Sequence, residues 1–226
     1  MNEPAGPTPE PVHVWVSTTD ENPREAAHHL LRQLATSLGH PAPLTHTPTG
    51  RPVVDGLHVS LTHTTGAVAV AATHAGPVGV DAELRRDFPV GAMAARWFPP
   101  AEAGRVDSPE KFLQLWTAKE AVGKALGQGL RNQGLRREMP AALTDGSVSE
   151  LVAEGDRGPG GSDLPVHAHV VPSEPEVAVV HVVVRLDLVL ALAFPRGVTE
   201  VVLHQGTALR STVRSRTSFP VVVRGN

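Results

Sequence analysis

The sequence predicts an α+β fold: two similar α+β lobes side by side in one chain, with a cleft at their boundary. Each half, roughly 12–75 and 76–200, carries one long helical segment with apolar residues at helical spacing and several short β-branched runs. With 226 residues, 41% of them hydrophobic, the chain can build one large domain or two small ones sharing an interface. Aromatics make up only 4% and Tyr is absent, so Val, Leu and Ala must do most of the packing. No internal repeat is visible between the halves.

Residues 1–11 hold four prolines and read as a disordered lead-in. Val12 to Val16 has strand composition, and Asn22-Pro23 opens a helix to about Leu38, closed by Gly39 and Pro41. A Pro- and Thr-rich loop follows to Pro52. Leu57 to Leu61 and Ala67 to Thr73 read as strands joined by a turn at Thr65-Gly66. In the second half, Val78 to Glu83 reads as a strand and Val90 to Phe98 as a helix stopped by Pro99-Pro100. Pro100 and Ala101 start another short helix. Pro109 starts a longer helix to about Leu126, followed by Gly127 and Gly129. Its Phe112, Leu115, Trp116, Val122 and Leu126 fall on one side. Gly155 to Gly161 reads as a loop, and Val166–Val171, Val177–Arg185 and Leu188–Phe194 as strands. Residues 201–226 contain no acid and four arginines, Arg210, Arg214, Arg216 and Arg224, and read as a basic tail of unknown role.

Several function classes recede on composition. A net charge of −3 argues against a nucleic-acid partner on charge grounds. The absence of Cys excludes disulfides and thiolate metal sites. No apolar run approaches the roughly 20 residues that span a bilayer, and the first residues show no secretory pattern. A cytoplasmic protein without a membrane partner is the expectation. Lysines are few, only Lys111, Lys119 and Lys124 among 20 basic residues. Two of them lie five apart on the long helix, which singles out positions where a compact ammonium matters.

The segment Val78-Gly79-Val80-Asp81-Ala82-Glu83 places Asp81 and Glu83 on one face of a strand. Two carboxylates on one face repel, and a hard divalent cation such as magnesium relieves that. A solvated strand end reads the same way. On the long helix Glu120 and Lys124 are four apart, one turn beyond Trp116. Such a pair decorates many exposed helices, but here it borders the apolar stripe and suits the wall of a cleft.

The Asp81/Glu83 strand followed by Trp116-Thr117-Ala118-Lys119-Glu120-Ala121-Val122-Gly123-Lys124 resembles the signature of the 4′-phosphopantetheinyl transferases. By length, the two-lobed monomeric Sfp-type is the nearest match. Two upstream segments fit the same order. Gly50-Arg51-Pro52 resembles the family's G-K/R-P, whose basic residue helps hold the nucleotide 3′-phosphate. Ser60-Leu61-Thr62-His63-Thr64 resembles N-L-S-H-S, whose histidine contacts the coenzyme A pyrophosphate. The departures are Ser60 for Asn, Thr62 and Thr64 for the serines, and His28-His29 where a His-Arg pair is common. The motif-bearing resemblance covers about residues 24–130.

The resemblance implies a monomeric enzyme that moves 4′-phosphopantetheine from coenzyme A to a serine of an acyl or peptidyl carrier protein, releasing 3′,5′-ADP. It implies Mg2+, with Mn2+ as the alternative, on Asp81, Glu83 and Glu120. Glu120, Lys124 and His63 are the implied catalytic residues. Gly50, Arg51, Pro52, Thr62, His63, Lys119, Lys124 and Arg24 are the implied coenzyme A contacts. Arg85, Arg86, Arg131, Arg136 and Arg137 lie near this site in sequence and offer a docking rim for an acidic carrier, or ordinary surface charge. Two rival readings use the same residues. One is a metal-dependent pyrophosphohydrolase acting on coenzyme A or a nucleotide; the other is a non-catalytic descendant that binds carrier proteins. His167 and His169 share a strand face but lack a third ligand nearby in sequence.

Overall fold

A computed structural model describes residues 10–130, 134–143, 165–182, 184, 186–206 and 215–225. The lead-in up to residue 9 and the 155–161 loop lie outside them. Eleven strands and four α-helices follow along the described chain. They are β1 (Val12–Thr18), α1 (Pro23–Ser37), β2 (Thr45–His46), β3 (Pro52–Val53), β4 (His58–Thr64), β5 (Ala67–Thr73) and β6 (Gly79–Leu84). Then come α2 (Gly91–Trp97), α3 (Pro100–Ala103), α4 (Pro109–Ala125), β7 (Val166–Val171), β8 (Glu174–Val182), β9 (Leu188–Pro195), β10 (Glu200–Gly206) and β11 (Ser215–Arg224).

The two long helices start where local chemistry dictates. The Asn22 carboxamide oxygen accepts from the amides of Arg24 and Glu25 at 3.0 and 3.3 Å, with Pro23 in the first turn. Ser108 caps α4 through the amide of Lys111 at 3.3 Å, again with proline next. Ala26, Leu30 and Leu34 give α1 a buried stripe, and Phe112, Leu115, Ala118, Val122 and Ala125 give one to α4.

The class is mixed α/β, with one large sheet and few helices. Nine strands run in the order β4-β5-β1-β10-β11-β7-β8-β9-β6. Alternation sorts each strand's residues between two sides. Val12, Val14 and Val16 of β1 share an interior cluster with Leu188, Leu190, Leu192 and Phe194 of β9. On the other side, Trp15 and Val70 pack beneath α1, whereas Val189, Ala191 and Ala193 pack beneath α4. The end strands β4 and β6 meet through side chains: the Val80 amide donates to Ser60 Oγ at 3.1 Å, and Thr62 Oγ1 to Asp81 Oδ1 at 2.9 Å. Among the described residues no helix is long and apolar enough to cross a membrane.

One expectation is corrected here. The stretch expected as a basic tail supplies β10 and β11, which lie mid-sheet between β1 and β7. Val201, Val202 and Leu203, and Val221 to Val223 further on, are strand-forming runs whose signal the arginine count obscured. Through the parallel pairing of β1 with β10, the first half is hydrogen-bonded to the end of the chain.

Gly79 shows how closely α4 rests on β6: a Cβ there would lie 1.9 Å from the Ala121 carbonyl oxygen. That contact brings helix and strand together where the candidate site forms.

Beneath α4, buried His181 donates from Nε2 to the Gln114 carbonyl at 2.9 Å, while its Nδ1 has no hydrogen-bond partner among the described residues. Burial pushes its pKa down to about 4, because a second ring proton would find no acceptor. The unfolded chain therefore binds the proton at higher pH than the folded one. Stability is complete above about pH 6.5 and is lost as pH falls toward about 4, by roughly 3 kcal/mol from this ring. Denaturant midpoints measured across that window should show a shallower slope in His181→Leu. An unchanged slope contradicts the assignment.

Candidate functional site

The first half of β4, the C-terminal end of α4 with the turn that follows it, and the loop between β2 and β3 converge on one cleft of about 300 Å³. Gly50, Arg51, Pro52, Ser60, Lys124 and Gln128 are among its walls. Helix α4 reaches it because Gly127 and Gly129 adopt φ of 69° and 57°, turning the chain back so that both of their amides reach toward the helix end. Arg51 lies over this turn, where a Cβ on Gly127 would come 2.9 Å from its Nη1.

At the cleft's inner edge, Lys124 Nζ donates to Asp81 Oδ1 at 2.7 Å and to the Val80 carbonyl at 3.0 Å. The same ammonium stands 3.8 Å from Glu120 Oε1. Asp81 Oδ2 is buried without a hydrogen-bond partner among the described residues. Burial, then the charge of Asp81, push Glu120 up to about 7, with Glu83 adding and Lys124 opposing. Burial and Asp81 likewise raise Glu83, against Arg86 and Lys124. One ammonium thus faces three carboxylates in a poorly solvated corner.

Among the described residues, no three His, Asp or Glu side chains stand as a ready set of metal ligands. The Lys124 ammonium instead stands 2.7 Å from Asp81 Oδ1 and 3.8 Å from Glu120 Oε1. The donor chemistry nonetheless suits a hard cation. The oxygens are carboxylate, one of them is a buried atom without a hydrogen-bond partner among the described residues, and two of the groups are held above their usual pKa by burial and by the Asp81 charge.

The other residues singled out from sequence divide. Gly50, Arg51 and Pro52 line the cleft. Thr62 turns its hydroxyl to Asp81, so its bond orients a carboxylate. His63 is exposed on β4, and its charge and that of Arg24 on α1 both act on His28. Lys119 departs from expectation: it is 0% exposed, 2.6 Å from Glu102 Oε2, and donates to the Arg137 carbonyl. Five residues along a helix is about 140° round its axis, so Lys119 and Lys124 look in different directions. Lys119 is a core residue.

The expected docking rim also shrinks. Arg85 forms a two-pronged bond to Glu110 at 2.9 and 3.2 Å. Arg136 donates to the carbonyls of Phe98 and Arg96, and Arg137 to Gln128 Oε1. Arg86 stays exposed over the Phe88 ring, and Arg131 lies outside the described residues. Sequence reasoning missed the stitching of β4 to β6 by Ser60 and Thr62, because hydroxyl partners across separate strands leave no local pattern. It also passed over Gln128, although the flanking glycines mark that turn.

The model of the 4′-phosphopantetheinyl transferase superfamily matches residues 77–157, which contain Asp81, Glu83, Glu120 and Lys124. No curated protein matches the chain.

Proposed function

We propose, from the premise that residues 77–157 belong to the 4′-phosphopantetheinyl transferase superfamily, that this chain transfers 4′-phosphopantetheine from coenzyme A to a serine of a carrier protein. The observation that carries the reading is the contact of Lys124 with Asp81 and Glu120 on the edge of the cleft walled by Gly50, Arg51 and Pro52. In the two-lobed reading, α1 on β1, β4 and β5 is one half and α4 on β6, β8 and β9 the other, with the cleft shared between them.

Asp81, Glu83 and Glu120 would hold a magnesium ion, which supplies charge neutralisation at the pyrophosphate. Arg51 binds phosphate through its guanidinium from the cleft wall, with Arg24 as a second cation for the 3′-phosphate. His63 contacts the pyrophosphate from β4. Lys124, held at the cleft edge by Asp81, would neutralise the transferring phosphate, the main demand of phosphoryl transfer. The carrier serine Oγ bonds to the β-phosphorus, the bond to 3′,5′-ADP breaks, and the serine proton passes to Glu120 or a water that Glu120 orients.

The test is to incubate the chain with coenzyme A, Mg2+ and an apo-carrier and weigh the carrier. Addition of one phosphopantetheine group is the expected result. Release of 3′,5′-ADP from coenzyme A without any carrier would instead show a pyrophosphohydrolase. Carrier binding without any mass change would show a non-catalytic descendant.

A further inference from the structure

Outside the cleft, two histidines are held in a way that the transferase reading does not use. His40 lies just past the end of α1, and His74 just past the end of β5. Their ring centroids are 4.9 Å apart, with the planes tilted by 48°. His40 Nδ1 stands 3.0 Å from the Asp55 carbonyl oxygen, and His74 Nδ1 stands 3.1 Å from that of Gly56. A carbonyl oxygen only accepts, so in both rings Nδ1 carries the proton and donates. Each neutral ring keeps its lone pair on Nε2, and among the described residues no hydrogen bond claims either Nε2. The two acceptors are successive carbonyls of one tight turn, closed by the Leu57 amide on the Val54 carbonyl at 3.3 Å. Gly56 admits the nearer ring: its φ is 72°, and a Cβ there would lie 3.0 Å from His40 Cε1. Both backbones are fixed independently of the rings. The His40 amide donates to the Ala35 carbonyl at 2.9 Å. Thr73 Oγ1 donates to the Pro11 carbonyl at 2.8 Å and accepts the Ala75 amide at 3.0 Å, bracketing His74.

Imidazoles that ligate a metal through one nitrogen commonly donate from the other to a backbone carbonyl, which fixes tautomer and orientation. Here one turn does so for two rings from separate elements. Two imidazoles sharing a tetrahedral ion through bonds of about 2.0–2.1 Å have centroids about 5 Å apart, which matches the observed spacing. We propose that His40 and His74 chelate a divalent transition metal of the zinc class through their Nε2 atoms, with water completing the shell. Imidazole nitrogen suits Zn2+, Cu2+ or Ni2+, whereas Mg2+ prefers oxygen, so this site and the proposed carboxylate site select different ions. The other close pair does not compete. His28 and His46 turn their Nε2 atoms on each other at 3.3 Å, one donating and one accepting, so neither keeps a free lone pair. A bound ion would tie the end of α1 to the end of β5 across the turn that follows β3, a strand whose Pro52 walls the cleft. The site does not rest on the transferase reading.

Long-range proton–nitrogen correlation spectra of the full chain test this, recorded with Mg2+ in excess so that oxygen sites are filled. Before zinc, His40 and His74 should both show the Nδ1–H tautomer. One equivalent of Zn2+ should then shift the Nε2 resonances of these two rings and of no other histidine. By calorimetry, His40→Gln and His74→Gln should each weaken Zn2+ binding about tenfold or more. The paired change His28→Gln with His46→Gln should leave that binding unchanged. Both rings of the proposed site reach solvent, so the single variants should keep the wild-type thermal midpoint in the absence of zinc. An Nε2–H tautomer in either ring, zinc shifts confined to other histidines, no shift at one equivalent, or wild-type affinity in both single variants would overturn the proposal. The carrier assay reports separately: zinc bound by these rings without carrier modification keeps the metal site and sinks the transferase reading, and carrier modification without zinc binding does the reverse.

Discussion

Asp81→Asn is expected to lower carrier modification by about a thousandfold or more while leaving the fold in place. The amide keeps an acceptor for the Thr62 hydroxyl, which bonds Asp81 Oδ1 at 2.9 Å, so the junction of β4 and β6 retains its stitch. What disappears is the charge that pairs with Lys124 at 2.7 Å and the anionic oxygen available to a cation. Glu120→Gln should act alike, since its oxygen lies 3.8 Å from the same ammonium. A second readout separates loss of charge from loss of structure. Asp81 is among the causes that raise Glu120 to about 7, so Asp81→Asn should move the Glu120 carboxyl downward, toward the usual carboxylate range. Carrier modification at the wild-type rate in either variant would remove Asp81 and Glu120 from the reaction.

The largest stability effect is expected at the other lysine. Lys119 is fully buried, paired with Glu102 at 2.6 Å and set 5.4 Å over the Phe98 ring. Glu102 Oε1 also accepts the Met139 amide at 2.7 Å, so the pair ties α3 and α4 to the segment beyond them. Burial pulls the Lys119 ammonium below the usual lysine pKa, and Glu102 works against that pull. Lys119→Met leaves the Glu102 charge buried and unpaired, and should cost about 3–5 kcal/mol. Adding Glu102→Gln removes the stranded charge yet keeps an acceptor for Met139, and should recover most of the loss. Denaturant midpoints of the single and double variants measure this directly. A single variant as stable as the wild type would show that the ion pair contributes little.

The two lysines also mark where the sequence stops being readable. Their rarity pointed to special positions, and both are special, but for opposite reasons. Helical geometry turns one into the core and the other to the cleft edge, and only the packing of α4 on β6 decides which. Elements specified by neighbouring residues were legible: Asn22-Pro23 and Ser108-Pro109 start α1 and α4, and Val166–Val171 forms β7. Elements specified by distant partners were not. Strands β10 and β11 earn their place from pairing with β1 and β7, far away in the chain, and their arginines concealed the apolar alternation. Of the candidate site, spacing alone offers two pairs, Asp81 with Glu83 on a strand face and Glu120 with Lys124 on a helix face; what joins the pairs into one expected site is the family resemblance. The diversion of Arg85, Arg136 and Arg137 into internal bonds could not, since those partners come from other elements.

The proposed holding of one cation by Asp81, Glu83 and Glu120 is tested most directly by titrating the chain with Mn2+ and counting bound ions by electron paramagnetic resonance. One ion per chain is expected, displaced by Mg2+ and lost in Asp81→Asn and in Glu120→Gln. Retention of the ion in both variants, or no binding by the wild type, would contradict it.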